Sequence, residues 1–520
     1  MFRLNTKLCP AVLAVASALA APAAQAVDPA LAPWLVQMGE TSAILSAANW
    51  GKGQILGVVD TGIVAGNSVF APGQVSVALS TCAAVSFRCA NGVNDDNGHG
   101  TAVASMAAAN RVTTGTYTYS GYTVKAGSYI GVAPNANIVA EKVLNASGSG
   151  YNTDVSNGIN KAVAAGASVI NLSLTYMATP DIVTAINNAA GKGAFIVWAG
   201  GNESTALLGN ANTSGLTANA VKHLIFAGAL DPTAAKAASF SNNAGTGALV
   251  DTAGGKTTYA ARWIAAPGVN ILAPYALAGS GAMALWSGTS MSAPLVSGSL
   301  LLLESAWPIL KTNGTAANLL LTTATDLGTK GIDNTYGNGL VNLGTAFQPV
   351  GALSVTQANG KTLAVSSITG AMITGGALGS LAAVKASLAN YAAFDTYQRN
   401  FTVNLSGLIA SKPTGASLNA LPSNTNTGVT VMKLNDGGEL ASWQLPVANM
   451  VDRMGVFWNN DGYQSATTGY LSYTSAGGST VAMGYGVPVQ FSYAKALYGD
   501  ENMARMAGEL GSSNLLDLAQ

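Results

Sequence analysis

The chain has 520 residues, enough to bury a large core without a disulfide scaffold or a structural metal, and at about 100–200 residues per domain it accommodates roughly two to four domains. Its 23 Lys+Arg balance 23 Asp+Glu, which excludes a basic nucleic-acid-binding face as the dominant feature; no nucleic-acid partner is expected. Charged residues make up only 9%, against about 25% in an average soluble protein, so Gly, Ser, Thr and Asn carry the surface, a composition that fits an exported protein.

The N-terminus agrees with export. Arg3 and Lys7 form a short basic region, an unbroken small and apolar run extends from Cys9 to Ala21, and Ala24-Gln25-Ala26 supplies a small-x-small cleavage signal. Together they predict a secretory signal peptide over residues 1–26, the run being too short for a membrane span of about 20 residues. Cleavage after Ala26 removes Arg3 and Lys7, so 23 basic residues become 21 against 23 acidic. It also removes Cys9 and leaves Cys82 and Cys89, which are expected to pair in an oxidising compartment. No later apolar run is long enough to cross a membrane as a helix.

From about residue 53 to 345, short apolar runs alternate with helix-like segments. Strands are predicted at 54–59, 137–143, 168–174, 194–198, 223–229 and 263–266; helices at 100–109, 153–165, 180–190 and 290–306. Near-continuous apolar strands alternating with helices predict an α/β domain over 27–345, a doubly wound parallel sheet with helices on both faces. Gly166 and Gly191 stand where helix stops are expected. Beyond it, residues 346–439 read as a linker or stalk, with 413–427 loaded with Asn, Ser and Thr. Residues 440–520 alternate in polarity with interspersed aromatics, as in 465–474 and 480–493, and read as a small β-rich region of antiparallel hairpins.

Four segments carry candidate chemistry. Asp60 closes the first strand and is followed by Thr61-Gly62; a carboxylate there lies where α/β sheets place their sites, or else serves as a turn residue. His99 stands between glycines in Asn97-Gly98-His99-Gly100-Thr101, with an accessible imidazole at a helix start. Trp198-Ala199-Gly200-Gly201-Asn202 ends another apolar strand; its amide can donate to an oxyanion or simply hold a glycine turn. In Ser287-Gly288-Thr289-Ser290-Met291-Ser292-Ala293-Pro294, Ser290 opens a long apolar helix. A serine there is either an N-cap or a nucleophile that needs an adjacent base and oxyanion donors. His223, at the head of an apolar strand, is read as structural.

Taken jointly, Asp, His, Asn and Ser occur in an order that contains the subtilisin sequence of Asp, then His, then Ser. Val58-Val59-Asp60-Thr61-Gly62, Asn97-Gly98-His99-Gly100-Thr101 and Gly288-Thr289-Ser290-Met291-Ser292-Ala293-Pro294 resemble the three catalytic motifs of subtilisin-like serine proteases (subtilases). Ala199-Gly200-Gly201-Asn202 resembles their oxyanion-asparagine motif. The resemblance covers about residues 30–345. It implies an exported serine endopeptidase with Asp60, His99 and Ser290 as the triad and Asn202 as oxyanion donor. Ser173, Leu174 and Thr175 then pair with substrate, and Gly200 and Gly201 wall the first specificity pocket. Protein or peptide substrates are implied, and no cofactor for catalysis. Family members often bind calcium; Asp95-Asp96-Asn97 offers oxygens but not a complete ligand set.

The pattern also departs from the family. Ala102 replaces a second histidine, and Ser173-Leu174-Thr175-Tyr176 replaces Ser-Leu-Gly. Only 26 residues separate Ala26 from Gly53, too few for a propeptide domain. That arrangement resembles the autotransporter-type subtilases of Gram-negative bacteria, whose junction segment residues 393–405 resemble. It implies secretion, or export to the periplasm or cell surface, with outer-membrane association through the C-terminal region. The tail's roughly four to six strands are fewer than the eight of the smallest membrane barrel. An esterase is disfavoured, because the Gly-x-Ser-x-Gly elbow is absent around Ser290.

Overall fold

A computed structural model of the chain describes residues 31–112, 115–119, 122–174, 178–207, 215–279, 281–356, 362–368, 371–374, 385–386, 388–411, 430–433, 439–444, 469–474 and 480–484. Contacts divide the chain into two units: one of Pro22–Gln348 with Tyr397–Arg399, the other including Pro349–Thr396 and Asn400–Gln520.

The first unit is built on seven strands: β1 Ile55–Asp60, β2 Thr81–Cys82, β3 Asn137–Lys142, β4 Val169–Leu172, β5 Phe195–Ala199, β6 Leu224–Leu230 and β7 Trp263–Pro267. Their order is β7-β6-β5-β4-β1-β3-β2, with every neighbouring pair parallel. Four helices matter for the site: α1 His99–Ala108, α2 Asn152–Ala164, α3 Pro180–Gly191 and α4 Thr289–Ala306. Every residue of β5 and β6 is buried, so the strands need cover on both faces. On one face Val59, Ile170, Ile196 and Trp198 pack with Ile159 of α2 and with Ile182 and Ile186 of α3. Helices α1 and α4 pack on each other and on the strands from the opposite side. Every residue of α1 after His99 is buried, and its run of Ala, Gly and Ser lets it press close.

Strand β1 lies between β4 and β3, the place where the chain's direction of winding changes. The crevice outside the carboxyl ends of strands at such a point is where open α/β sheets bind ligands; Asp60 is the last residue of β1.

His223 does not open β6. It ends the short helix Ala218–His223, and β6 begins at Leu224. Its Nδ1 lies 2.8 Å from Asn219 O, one helical turn back, and its ring stacks on Phe195 at 4.6 Å. Burial holds its pKa below the ordinary histidine value. Cys82 is joined to Cys89 by a disulfide.

In the second unit, Thr362–Ala364, Ser354–Thr356, Tyr391–Phe394 and Asn400–Val403 form an antiparallel sheet in that order. Val355, Leu388, Ala393, Val403 and Leu405 are its buried core. These strands fall inside the stretch expected as linker. Each is only three or four residues long, so alternation is too brief to stand out from an Ala/Ser/Thr-rich background. A second sheet contains Gly469–Thr474 and Thr480–Gly484 as antiparallel neighbours, within the two segments expected to form hairpins. Residues 1–26, 413–427 and 485–520 lie outside the described residues. Among the described residues no helix is long and apolar enough to cross a membrane.

Candidate active site

The end of β1 and the start of α1 meet through side chains. Asp60 is fully buried; its Oδ1 accepts the Thr61 N–H at 2.7 Å and lies 2.8 Å from His99 Nδ1. A carboxylate on Nδ1 holds the imidazole proton there and leaves Nε2 as the acceptor. Burial alone lowers the His99 pKa. The Asp60 charge and hydrogen bond, with a smaller contribution from Asp95, outweigh it and leave the pKa raised. The ring is 23% exposed, open enough to exchange a proton with a bound molecule.

Asp95 fastens this junction. Its Oδ1 accepts from Thr61 Oγ1 at 2.8 Å, Gly98 N at 2.8 Å and Asn97 N at 3.1 Å; its Oδ2 accepts from Thr101 N at 2.9 Å and Thr101 Oγ1 at 2.6 Å. Thr61 Oγ1 in turn accepts from Gly100 N at 2.8 Å. A Cβ on Gly100 would lie 2.2 Å from Gly62 O, so only glycine lets α1 start this close to the strand end. Asp96 Oδ1 is 2.7 Å from the buried Lys142 ammonium, which also donates to Thr61 O. Of the Asp95-Asp96-Asn97 oxygens, both on Asp95 accept from protein donors and Asp96 Oδ1 is paired with a lysine, so the segment holds no complete calcium ligand set. Among the described residues no group of three or more His, Cys, Asp or Glu is placed to hold a metal ion.

Ser290 is the second residue of α4. Pro294, four residues on, has no N–H, so the Ser290 carbonyl lacks its usual helical donor. Ser173, just past β4, supplies one: its Oγ donates to Ser290 O at 2.8 Å, and it accepts from Asn171 Nδ2 at 2.9 Å. The Ser290 hydroxyl donates back to Ser173 O at 3.3 Å. Among the described hydrogen bonds none joins Ser290 Oγ to His99 in this conformer; catalytic hydrogen bonds are often long without substrate and tighten when it binds. The Trp286 ring stands edge-on to His99 at 6.2 Å.

Asn202 follows β5. Its Oδ1 accepts from Thr289 N at 2.8 Å and Thr289 Oγ1 at 3.1 Å, while Gly201 N donates to Thr289 Oγ1 at 3.0 Å. This fixes the amide with Nδ2 turned away, free to donate. Gly200 N donates to Ala227 O at 2.9 Å. Leu174 O accepts from Trp198 Nε1 at 2.8 Å. Thr175 lies outside the described residues. Sequence reasoning missed Thr289 as the group that orients Asn202, and Asp95 as a hub. Thr289 adjoins Ser290 in the motif, which was the available signal; for Asp95 the signal was its place four residues before His99.

An Asp–His pair and a serine at a helix start are groups that a serine hydrolase uses. The model of the Subtilase family matches residues 51–339, and the chain belongs to that family. It is 34% identical to Subtilisin DY of Bacillus licheniformis over 295 residues, 56% of this chain and 90% of that protein. It is 33% identical to Subtilisin Savinase of Lederbergia lenta over 318 residues, 60% of this chain and 96% of that protein. To an alkaline protease of Alkalihalobacillus alcalophilus it is 33% identical over 318 residues, 60% of this chain and 68% of that protein. The chain is thus a subtilisin-like serine endopeptidase, and its substrates are proteins or peptides.

Proposed function

We propose that Ser290, His99 and Asp60 hydrolyse peptide bonds as a triad. Ser290 Oγ attacks the scissile carbonyl carbon as its proton passes to His99 Nε2. The tetrahedral oxyanion is held by Asn202 Nδ2 and the Ser290 N–H at the positive end of α4. His99 returns the proton to the leaving amine as the C–N bond breaks, and water then cleaves the acyl-enzyme by the same steps. Asp60 orients His99 and stabilises the imidazolium without taking its proton. The 2.8 Å contact between buried Asp60 and half-buried His99 carries this reading, because it readies Nε2 as a base. Extended substrate pairs along Ser173, Leu174 and Thr175, with Gly200 and Gly201 walling the first specificity pocket.

In the same reading residues 1–26 are removed on export, 27–345 form the catalytic domain, and 346–439 connect it to 440–520. The Cys82–Cys89 bridge supports an oxidising destination, secreted or at the periplasm or cell surface. The family model ends at residue 339 and gives no support to outer-membrane association through the C-terminal region. The test is endopeptidase activity of purified wild type, Ser290→Ala, His99→Ala and Asp60→Asn. Each variant should lose most activity, and a double variant should be little worse than Ser290→Ala, because such residues act as a unit. Substantial proteolysis by Ser290→Ala would overturn the mechanism.

A further inference from the structure

Asn202 is exposed; Thr289 orients its side-chain amide, but its backbone sits in an irregular bend. Gly201 has φ +103° and Ser204 φ +58°, and residues 200–205 form no regular element. Yet oxyanion stabilisation requires the amide to be in place before charge develops.

A second anchor, for the backbone, comes from a different loop. Asn242 is 8% exposed, and its carboxamide is engaged entirely with residues 200–205. Its Oδ1 accepts from Glu203 N at 3.0 Å, Thr205 N at 2.9 Å and Thr205 Oγ1 at 3.3 Å. Its Nδ2 donates to Gly200 O at 3.0 Å and to Glu203 Oε2 at 2.6 Å. The Asn242 backbone N–H donates to Gly201 O at 2.9 Å. These partners flank Asn202 on both sides. A Cβ on Gly201 would lie 2.3 Å from Asn242 Nδ2, so the loop backbone is pressed directly against the amide.

We propose that Asn242 is a positioning residue for the oxyanion site: its carboxamide fixes residues 200–205 so that Asn202 Nδ2 meets the carbonyl under attack. This rests on the triad and oxyanion reading above. The chemistry explains the residue type. One side must accept from two backbone N–H groups and the other must donate to a carbonyl and a carboxylate; only an amide does both. Aspartate keeps the acceptor side but sets a second carboxylate against Glu203. The Asn242 carboxamide bonds only within residues 200–205, so its loss acts through that loop: through Asn202 on the oxyanion, and through Gly200 and Gly201 on the pocket wall. Because Asn202 donates chiefly to the charge of the transition state, misplacing it lowers kcat and leaves KM.

The experiment is a double-mutant cycle on the full-length protein with a chromogenic peptide that wild type cleaves. Asn202→Ala should cost about 10²–10³ in kcat, the loss known for the corresponding asparagine of subtilisin itself. Asn242→Ala should lower kcat about tenfold or more, the kcat loss being the oxyanion share and any rise in KM the share of the pocket wall. In the Asn202→Ala background the same change should cost less than about threefold, since the group it positions is gone. The isosteric Asn242→Asp should likewise lower kcat, and adding Glu203→Gln should restore at least about threefold, because the new amide donates to the new carboxylate. If Asn242→Ala does not fold, Asn242→Asp carries the cycle. Equal losses in both backgrounds, or a raised KM with unchanged kcat, would overturn the proposal. An inactive wild type would instead overturn the triad reading on which it stands.

Discussion

Arg399 ties a late segment of the chain to the catalytic unit. It lies 53 residues beyond Ala346, yet Tyr397–Arg399 groups with the catalytic unit. The side chain is fully buried. Its guanidinium donates to Ala346 O and, at 2.8 Å, to Gln348 O, and lies over the Trp307 ring at 4.7 Å. Two hydrogen bonds from a charged donor contribute about 1.5–3 kcal/mol each, and a desolvated cation–π contact about 2 kcal/mol. Against this stand the side-chain entropy, about 2 kcal/mol, and the cost of burying the cation. Arg399→Ala should therefore lower unfolding free energy by about 3 kcal/mol. Arg399→Lys, which keeps charge but loses the fork, should recover less than half of that loss. A chain ending at Val350 lacks the same contacts and should be no more stable than Arg399→Ala. The assay is urea unfolding followed by tryptophan fluorescence, with Ser290→Ala in every protein to prevent self-digestion. An Arg399→Ala midpoint shift worth less than about 0.5 kcal/mol would refute the reasoning.

Two further outcomes follow from titration. A general base must be neutral to act, and Asp60 raises the His99 pKa; the acid limb of kcat/KM should accordingly have its midpoint above the ordinary value of about 6.5, and a midpoint below 6.5 would mean that burial dominates instead. Burial pushes Glu304, near the far end of α4, from 4.5 to about 8. The folded chain then keeps a proton that the unfolded chain has released, so stability falls as pH rises from 4.5 through 8, by an upper bound of roughly 5 kcal/mol. Glu304→Gln should flatten that fall in urea titrations between pH 5 and 9, and an unchanged slope would contradict the assignment.

The parallel sheet and the four chemical segments were legible because their signals are local. An apolar strand ending in Asp60, a glycine-flanked His99 and a serine opening an apolar helix can each be read within about ten residues. What the sequence hid is contact over distance. Asp95 looks like a loose oxygen donor beside Asp96 until the fold brings Thr61, Gly98 and Thr101 onto its carboxylate. Asn242 carries no local sign of its bonds to Gly200, Glu203 and Thr205. Arg399 stands in the junction-like segment with no local sign of its contacts to Trp307 and the Ala346 carbonyl. His223 was misplaced because an apolar strand directly follows a helix of only six residues. That helix is too short for its periodicity to register.

The central claim is that Ser290 is the nucleophile, and covalent labelling tests it most directly. Full-length protein is treated with a phosphonate that reacts only with activated serines, and the modified residue is located by peptide mapping. The account predicts that the label sits on Ser290, that endopeptidase activity falls in proportion to labelling, and that His99→Ala protein labels far more slowly. Full activity after stoichiometric labelling, or label on another serine with activity lost, would contradict it.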